Sequence, residues 1–402
     1  MNGERPVTLL CLATFEKGAD FMQEAKRQGA RVLLVTVEKL RSAAWPRESI
    51  DDVFYLADDY KREDLLHGVS YLVRDQQIDR IVPLDEFDLE VAAALREHLR
   101  IPGMGDTTVR YFRDKLAMRI KAREEGILVP DFVPVLNYDR IREFMARVPP
   151  PWILKPRTSA SAIGLKKIHS SEELWRTLDE LGDEQSFRVL EKFVPGDVFH
   201  VDAIVNEREV LFNEAHQYAN PPFDVYHGGG LFCSRTLPRD SEEARTLKEM
   251  NRQLVEKLRL LYGALHSEFI RGHEDGRYYF LETAARVGGA HITDLVEAST
   301  GVNLWREWAK LELARARGDE YRPPEARQDH AGVLISLARQ EWPDTGAYRD
   351  PEIVWRLKKK HHAGLIVASR DPQRVWELLQ HYMHRFYEDF YARMPAAEKP
   401  TA

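Results

Sequence analysis

The segment HSEFIRGHEDGRYYFLETAARVGG, residues 266–289, decides the fold predicted for this chain. Two apolar runs of strand-forming residues flank a polar turn that ends in Gly276, a pattern typical of a β-hairpin. A three-residue loop, Glu274-Asp275-Gly276, would set Glu268 directly opposite Glu282. Opposed residues of antiparallel strands lie roughly 4.5–5.5 Å apart, where like charges repel. Because Mg²⁺ prefers carboxylate oxygens, the pair predicts a divalent cation between the two side chains.

The amino-acid composition of the chain argues against several classes of protein. The chain has 402 residues, and its 58 basic and 65 acidic residues give a formal charge of −7, which offers no sign of nucleic-acid binding. Cys11 and Cys233 are too few for a disulfide framework or a thiolate zinc site, so we expect a reducing cytoplasm. The early apolar run at residues 7–15 is typical of a strand rather than a signal peptide. No run approaches the ~20 apolar residues of a membrane span, so no membrane association is expected.

The order of apolar runs predicts the fold class. The first hundred residues alternate short apolar strands with helical segments, which indicates βαβ units and a parallel sheet. The first turn, TFEKGAD, lacks the G-x-G-x-x-G of a dinucleotide site, and this argues against a dehydrogenase. Later strands form hairpins and alternate with helices without that regularity. We therefore predict a chain that combines α/β and α+β parts.

Breaks in the pattern suggest three domains. The sequence IPGMG ends an N-terminal α/β domain of residues 1–105. A middle domain of residues 106–317 follows, and it begins with a predicted continuous amphipathic helix that ends at Gly126. After the polar, proline-containing linker at 318–328, a small α+β domain is predicted for residues 329–395.

Two lysines are candidates for phosphate binding. Lys155 ends the apolar strand PWILKP and precedes the small-residue loop RTSASAIG, where exposed backbone N–H groups suit phosphate oxygens. A lysine whose ammonium reaches back into water at a strand end explains the same pattern. Lys115 lies in the predicted middle-domain helix, where a solvated helix face is the alternative.

Other polar residues near these motifs have competing interpretations. His200 shares one face of the strand VFHVDAIV with Asp202, and a structural histidine is favoured over a ligand there. The run KKKHH at 358–362 is interpreted as a solvated charge run rather than a metal site. Arg286, four residues after Glu282, offers a positive group that could meet a developing negative charge.

Taken in order, these residues resemble the ATP-grasp enzymes, in particular their carboxylate–amine ligases. The resemblance spans roughly residues 80–310. Each motif alone is weak, but five in one order form a specific pattern. They are RDKLAMRIKAREEGILVP with Lys115, WILKPRTSASAIG with Lys155, VLEKFVPGD with Glu191 to Val194, HSEFI with Glu268, and FLETAARVGG with Glu282 and Arg286.

The resemblance implies a set of roles for these residues. Lys115 and Lys155 would bind the phosphates of ATP, and Glu268 with Glu282 would hold Mg²⁺. Arg286 would lie at the reacting carboxylate as the catalytic residue. Backbone groups of a hinge strand would hold adenine, and that strand comprises Glu191, Lys192, Phe193 and Val194.

Two positions depart from the family pattern. Val198 stands where members often carry an acidic residue for the ribose hydroxyls, so Asp197 or His200 is expected to substitute. Ala284 stands where members often have an asparagine that serves as a further oxygen ligand. One Mg²⁺ would then be held less well, and the number of metal ions is left open.

The implied activity joins a small-molecule carboxylate to an amine. ATP would convert the carboxylate to an acyl phosphate, and the amine would displace phosphate, releasing ADP and phosphate. The glycine-rich stretch PPFDVYHGGGLF would close over the site as a lid. Candidate substrate contacts are His227, Gly288 and Gly289.

Other classes share parts of this pattern. A biotin-carboxylase-like enzyme has a similar ATP site, and a non-catalytic ATP sensor would fit the loss at Ala284. A metal-dependent phosphohydrolase could also use paired carboxylates. A homodimer and the identity of both substrates are left open.

Overall fold

A computed structural model describes residues 5–159 and 163–393 of the protein. Residues 160–162 of the predicted phosphate-binding loop, and 394–395 of the predicted C-terminal domain, lie outside the described residues. Within the two described ranges, no helix combines the length and the apolar character needed to cross a membrane. The predicted combination of α/β and α+β parts is confirmed.

The described residues form sixteen strands and twelve α-helices. The strands are β1 Thr8–Leu12, β2 Arg31–Val37, β3 Asp52–Leu56, β4 Arg80–Pro83, β5 Phe132–Pro134, β6 Trp152–Pro156, β7 Lys166–Ile168, β8 Arg188–Lys192, β9 Gly196–Asn206, β10 Glu209–Tyr218, β11 Phe232–Thr236, β12 Tyr262–Gly272, β13 Tyr278–Ala284, β14 His330–Leu337, β15 Ile353–Arg356 and β16 His362–Ser369. The helices are α1 Ala19–Arg27, α2 Arg62–Leu72, α3 Leu89–Leu99, α4 Asp106–Val109, α5 Lys115–Glu124, α6 Tyr138–Arg147, α7 Ser171–Leu181, α8 Pro222–Gly228, α9 Glu242–Leu258, α10 Ile292–Thr300, α11 Leu304–Arg317 and α12 Pro372–Asp389.

The N-terminal sheet is parallel, as the alternation of strands and helices predicts. Its strand order is β3-β2-β1-β4. Helix α1 packs on α11 through an edge-to-face contact of Phe21 with Trp308, whose ring centroids lie 5.5 Å apart. A buried ion pair of 2.7 Å joins Arg80 on β4 to Glu312 on α11. These contacts fix the N-terminal sheet and α1 against α11.

Two antiparallel sheets make up the remainder. The smaller has the order β5-β8-β6-β7 and carries Lys155 at the end of β6. The larger runs β13-β12-β9-β10-β11-β14-β16-β15, so the strands of the predicted C-terminal domain continue the sheet that holds the acidic hairpin. Helix α9 covers β10, and α12 covers β14 and β16. The division of the chain at residues 105 and 317 stays a prediction.

The predicted helix from residue 106 to residue 126 is broken, which corrects the sequence interpretation. Helix α4 passes into a short 3-10 turn, and α5 begins anew at Lys115. Asp114 causes the break because its carboxylate accepts the N–H groups of Leu116, at 2.9 Å, and Ala117 and so caps a new helix. The Lys115 N–H then donates to the Arg157 carbonyl at 2.8 Å. The break therefore ties the start of α5 to the chain that follows β6.

The hairpin of β12 and β13 opposes Glu268 and Glu282, as predicted. The route to that register differs from the prediction. Gly272 pairs with Arg277, so the turn has a four-residue loop, and Gly276 adopts the left-handed conformation with φ 67°. A β-bulge at Leu281 then adds one residue to β13 and brings the two glutamates opposite each other.

Candidate active site

The two opposed glutamates have different surroundings. Glu268 accepts a hydrogen bond of 2.8 Å from the Tyr218 hydroxyl, and its carboxylate lies 3.5 Å from Nε2 of His266. Burial alone raises the pKa of Glu268, but these neighbours hold it below its usual value. Glu282 is more open, with a side chain 35% exposed. Both carboxylates face one cleft, which fits a hard cation that binds through oxygen.

Lys115 lies against this acidic pair. Its ammonium is 3.1 Å from the Glu282 carboxylate and donates to the Ser159 carbonyl at 2.6 Å. The side chain is only 7% exposed, so the alternative of a solvated helix face does not apply. Part of the repulsion between the glutamates is thus offset by the protein itself. The phosphate-binding role of Lys115 stays a prediction.

Lys155 belongs to a buried trio of charges. Its ammonium lies 2.6 Å from the Glu191 carboxylate, which also pairs with Arg119 at 2.8 Å. Burial lowers the pKa of Lys155, and the charge of Glu191 opposes that effect. The lysine therefore does not reach into water at the end of its strand. Arg119 was not singled out from the sequence, although its position four residues after Lys115 places it on the same helix face.

The predicted adenine hinge lies where β8 of the smaller antiparallel sheet leads into β9 of the larger one. The Lys192 N–H donates to the Asp131 carbonyl at 2.8 Å, and the Phe193 N–H donates to the Pro151 carbonyl at 3.1 Å. Among the described residues, the Val194 N–H has no hydrogen-bond partner. This amide is the donor that the adenine edge would need. The adenine role of this strand, including its residue Glu191, stays a prediction.

Arg286 pairs with Glu86, a residue that the sequence analysis did not select. The guanidinium donates to the Glu86 carboxylate through Nε at 3.2 Å and through Nη2, and Nη1 donates to the Val287 carbonyl at 3.0 Å. Arg113 lies 3.6 Å from the same carboxylate. Burial acts to raise the pKa of Glu86, but the surrounding cations lower it to about 2. The ion pair holds Arg286 at the carboxyl end of the N-terminal sheet.

A histidine network supports Glu268 from inside the sheet. Asp202 lies 2.6 Å from Nδ1 of His200 and 2.8 Å from Nδ1 of His266, and Nε2 of His200 lies 2.7 Å from the Ser234 hydroxyl. Burial lowers the pKa of His200 to about 4. Burial also acts to lower the pKa of His266, but the charge of Asp202 raises it to about 9.

The raised pKa favours the protonated form of His266, which lies between the carboxylates of Asp202 and Glu268. The sequence signal for it was present, because His266 precedes Glu268 by two residues and so shares its face of β12. Only the register of β12 with β9 reveals that His266 stands opposite Asp202. Ligand atoms of His200, Asp202 and His266 lie within 4.8 Å of one another, and their mutual hydrogen bonds account for this proximity.

The two candidates for a ribose contact differ in access. His200 is fully buried and both of its ring nitrogens have partners, so its ring cannot meet a ribose in this structure. Asp197 has a side chain 37% exposed and lies 3.1 Å from Arg271. Val198 is buried, as an apolar residue on this strand should be. Asp197 is thus the accessible candidate of the two.

Of the three predicted substrate contacts, Gly289 lines the cleft, whereas His227 and Gly288 are not among its described lining residues. His227 is the second-last residue of the short helix α8, which replaces part of the predicted flexible lid. Its Nε2 lies 3.0 Å from the Leu165 carbonyl oxygen. Gly288 packs so closely on Asp202 and His266 that a β-carbon would lie 3.0 Å from each side chain. Gly289 lines the cleft and has open space beside it. Their substrate roles stay predictions.

Some of these residues line a cleft of about 1140 Å³, whereas Lys115, Lys155 and the hinge residues Glu191 to Val194 are not among the described residues that line it. Its walls include Glu268, Glu282, Arg286 and Glu86, and so combine the acidic pair with the arginine site. The exposed lysines at 358–360 also line it, in keeping with a solvated charge run. A cleft of this size has room for a nucleotide together with a small substrate.

Comparison with known proteins identifies the central part of this architecture. Residues 112–290, which carry both lysines, the hinge and the acidic hairpin, match the family model of the ATP-grasp domain. The chain contains an ATP-grasp domain. The predicted resemblance is thereby confirmed, and the matched residues extend from the 3-10 turn before α5 to the loop that precedes α10.

Individual proteins match a larger part of this chain than the family model does. An L-arginine-specific L-amino acid ligase of Bacillus subtilis is 28% identical over 273 residues, which are 66% of this chain and 65% of that protein. A formate-dependent phosphoribosylglycinamide formyltransferase of Bacteroides thetaiotaomicron is 25% identical over 362 residues, 86% of each chain. The crystal structure of an L-amino acid ligase from Bacillus licheniformis has the same fold, with a TM-score of 0.73 at 18% identity over 97% of this chain and all of that one. The predicted kind of enzyme, an ATP-grasp ligase that forms carbon–nitrogen bonds, is confirmed by the two sequence relatives, and the crystal structure supports the fold.

Proposed function

We propose that this chain condenses a small carboxylate with an amine and converts ATP to ADP and phosphate. A carboxylate oxygen would attack the γ-phosphorus of ATP, and the bond to the bridging oxygen of ADP would break. The amine would then attack the acyl carbon, lose a proton, and release phosphate as the carbon–oxygen bond breaks. The similarity to amino acid ligases supports this reaction class.

One observation carries the proposal: the Glu268–Glu282 pair and Arg286 line one cleft, with Lys115 3.1 Å from Glu282. Mg²⁺ held by Glu268 and Glu282 would neutralise negative charge on the phosphates. Lys115 would hold phosphate oxygens from the side of Glu282. Arg286 uses three of its N–H groups on Glu86 and Val287, so two of its five remain for a substrate carboxylate.

Several features favour transfer of the terminal phosphate. Lys115 lies beside the acidic pair, so Lys115 and a Mg²⁺ ion held by that pair would both place positive charge at one end of the nucleotide. An adenylating enzyme would need the α-phosphorus exposed instead. The acyl phosphate hydrolyses readily, and helix α8 with its following glycines can cover the cleft as a lid. We place the reaction in the cytoplasm on the sequence evidence alone, and a dimer stays open.

The decisive experiment traps the intermediate. Carboxylates, with amino acids foremost, are incubated with MgATP and hydroxylamine, which converts an acyl phosphate to a hydroxamate. We expect ADP, phosphate and hydroxamate in equal amounts for at least one carboxylate. ADP without hydroxamate for every carboxylate would instead support a sensor or phosphohydrolase, and AMP would refute transfer of the terminal phosphate. Activity that requires bicarbonate and a biotin carrier would favour the carboxylase alternative.

A further inference from the structure

A side pocket of about 290 Å³ opens from the main cleft beside the N-terminal sheet. Four residues line both spaces, namely Glu16, Lys17, Ala44 and His291. A molecule in the cleft can therefore extend a side chain into the pocket without leaving the site.

Three tryptophans form the apolar walls of this pocket: Trp45, Trp305 and Trp355. Trp45 is fixed by a hydrogen bond of 3.0 Å from its indole N–H to the Leu40 carbonyl. Trp305 stacks on Trp308 with ring centroids 6.0 Å apart. Fixed indole faces attract guanidinium and ammonium groups through their ring quadrupoles. The walls thus suit an organic cation better than a plain aliphatic chain.

The charged residues of the pocket are mostly acidic. Asp20 and Asp294 line it, and each has a partner, Arg306 at 3.2 Å and His291 at 2.9 Å. The ammonium of Lys17 is paired with Asp85 and so adds little free positive charge.

Glu16 lies at the entrance of the pocket, where it lines both the pocket and the main cleft. It accepts a hydrogen bond from the Ala44 N–H at 3.2 Å, and no cationic side chain among the described residues pairs with it. A cation that enters from the cleft would meet this carboxylate first.

Thr293 gives a second, independent sign of a ligand. It lines the pocket, is 7% exposed, and its hydroxyl has no hydrogen-bond partner among the described residues. A buried polar group without a partner costs free energy, which a bound donor would recover. The N–H groups of a guanidinium or an ammonium are such donors.

We propose that this pocket binds the cationic end of the side chain of the carboxylate substrate. The inference rests on the proposed ligase reaction. The wall of the pocket continues from Arg286, the proposed carboxylate site, to His291 within five residues of the chain. A substrate held by its carboxylate at Arg286 would therefore direct its side chain towards Glu16 and Thr293. The substrate class is an amino acid with a guanidinium or ammonium side chain.

The test compares charged and neutral substrates of one shape. L-arginine is compared with citrulline, and L-lysine with norleucine, by kcat/KM for hydroxamate formation and by calorimetric binding in the presence of MgADP. We expect each cationic member to be preferred by roughly tenfold or more, which corresponds to about 1.4 kcal/mol. Equal values for the charged and neutral members, or a preference for the neutral ones, would overturn the assignment.

Variants locate the effect in the pocket. Glu16→Gln and Thr293→Val should each lower the ratio of arginine to citrulline several-fold, while Glu48→Gln, an exposed acid elsewhere in the N-terminal domain, should leave it unchanged. An unchanged ratio in both pocket variants would place the preference elsewhere and refute the proposal. Hydroxamate formation without any charge preference refutes this inference but not the ligase. If no carboxylate yields hydroxamate, the ligase proposal fails, and the calorimetric comparison still decides whether the pocket selects cations.

Discussion

Arg286 and Glu86 form an ion pair across 200 positions of sequence, and the pair joins the acidic hairpin to the N-terminal sheet. The guanidinium is thereby oriented before any substrate arrives. Its fork geometry allows contacts to Glu86 and to a substrate carboxylate at the same time.

Arg286→Lys keeps the charge but removes the planar fork. We expect kcat to fall by roughly 10²–10³-fold, as for loss of one preorganised donor, because an ammonium cannot hold both carboxylates in fixed directions. MgATP affinity, measured by calorimetry, should be nearly unchanged. A variant that loses ATP binding as severely as turnover would show that Arg286 serves the nucleotide.

Glu268→Gln and Glu282→Gln test the metal site. Each should reduce Mg²⁺-dependent ADP formation by more than the roughly 10–100-fold typical of outer-shell residues. The fold should survive, because the loss of one of two opposed like charges relieves repulsion. Glu274→Gln in the loop of the same hairpin is the matched control. Thermal unfolding separates the alternatives: a large drop in Tm with unchanged Mg²⁺ affinity would make the pair structural.

Glu191→Gln should destabilise the protein. The substitution leaves Arg119, which is fully buried, and Lys155 without their common anion, and unpaired buried charges typically cost about 3–5 kcal/mol. The partly exposed pair of Lys121 and Glu125 supplies the control, since solvent screens this pair and Glu125→Gln should destabilise the protein much less. Urea unfolding measures both. Equal unfolding free energies for the two variants would contradict the structural role of the trio.

Asp88 predicts a pH dependence of stability. Burial, together with the charge of Asp85, raises its pKa to about 7, above the value of roughly 3.9 for an unfolded aspartate. The folded state therefore binds the proton more tightly, and the stabilisation from protonated Asp88 is complete below about pH 4 and is lost as the pH rises through 7.

Asp88→Asn should remove the loss of stability that ionisation of Asp88 causes as the pH rises. An amide oxygen can still accept the Thr14 N–H that now bonds to Asp88 at 3.1 Å. The unfolding free energy of the variant relative to the native protein should rise between pH 4 and pH 7 and then level off. Asp139→Asn on the solvent face of α6 should show no such trend. A constant difference for Asp88→Asn would mean that Asp88 is ionised throughout.

Nucleotide choice tests the hinge. The Val194 N–H and the Lys192 carbonyl would match the donor and acceptor on the adenine edge, so ATP should bind more tightly than GTP. A base with the wrong pattern leaves hydrogen-bonding groups unpaired, which is a sizeable penalty. Competition calorimetry with the two nucleotides gives the ratio. Equal affinities would remove the hinge assignment.

Patterns among residues close in sequence predicted several features of the fold and of the candidate site. The alternation of apolar runs predicted the parallel N-terminal sheet, and the hairpin signal around Gly276 predicted the opposition of Glu268 and Glu282. The order of five motifs identified the family. These features depend on residues close in sequence, where strand and helix periodicity acts directly.

The tertiary structure decided what each of these residues touches. The bulge at Leu281 corrected the register of a hairpin whose loop is one residue longer than predicted, and Asp114 broke a helix whose periodicity looked continuous. The partners Glu86 and Asp202 lie far along the chain from Arg286 and His266. Such pairings follow from how sheets and domains pack, and periodicity carries no information about contacts between distant segments. Local sequence patterns therefore indicated the lysines, the paired glutamates and the arginine, while packing decided their partners and the pocket beside them.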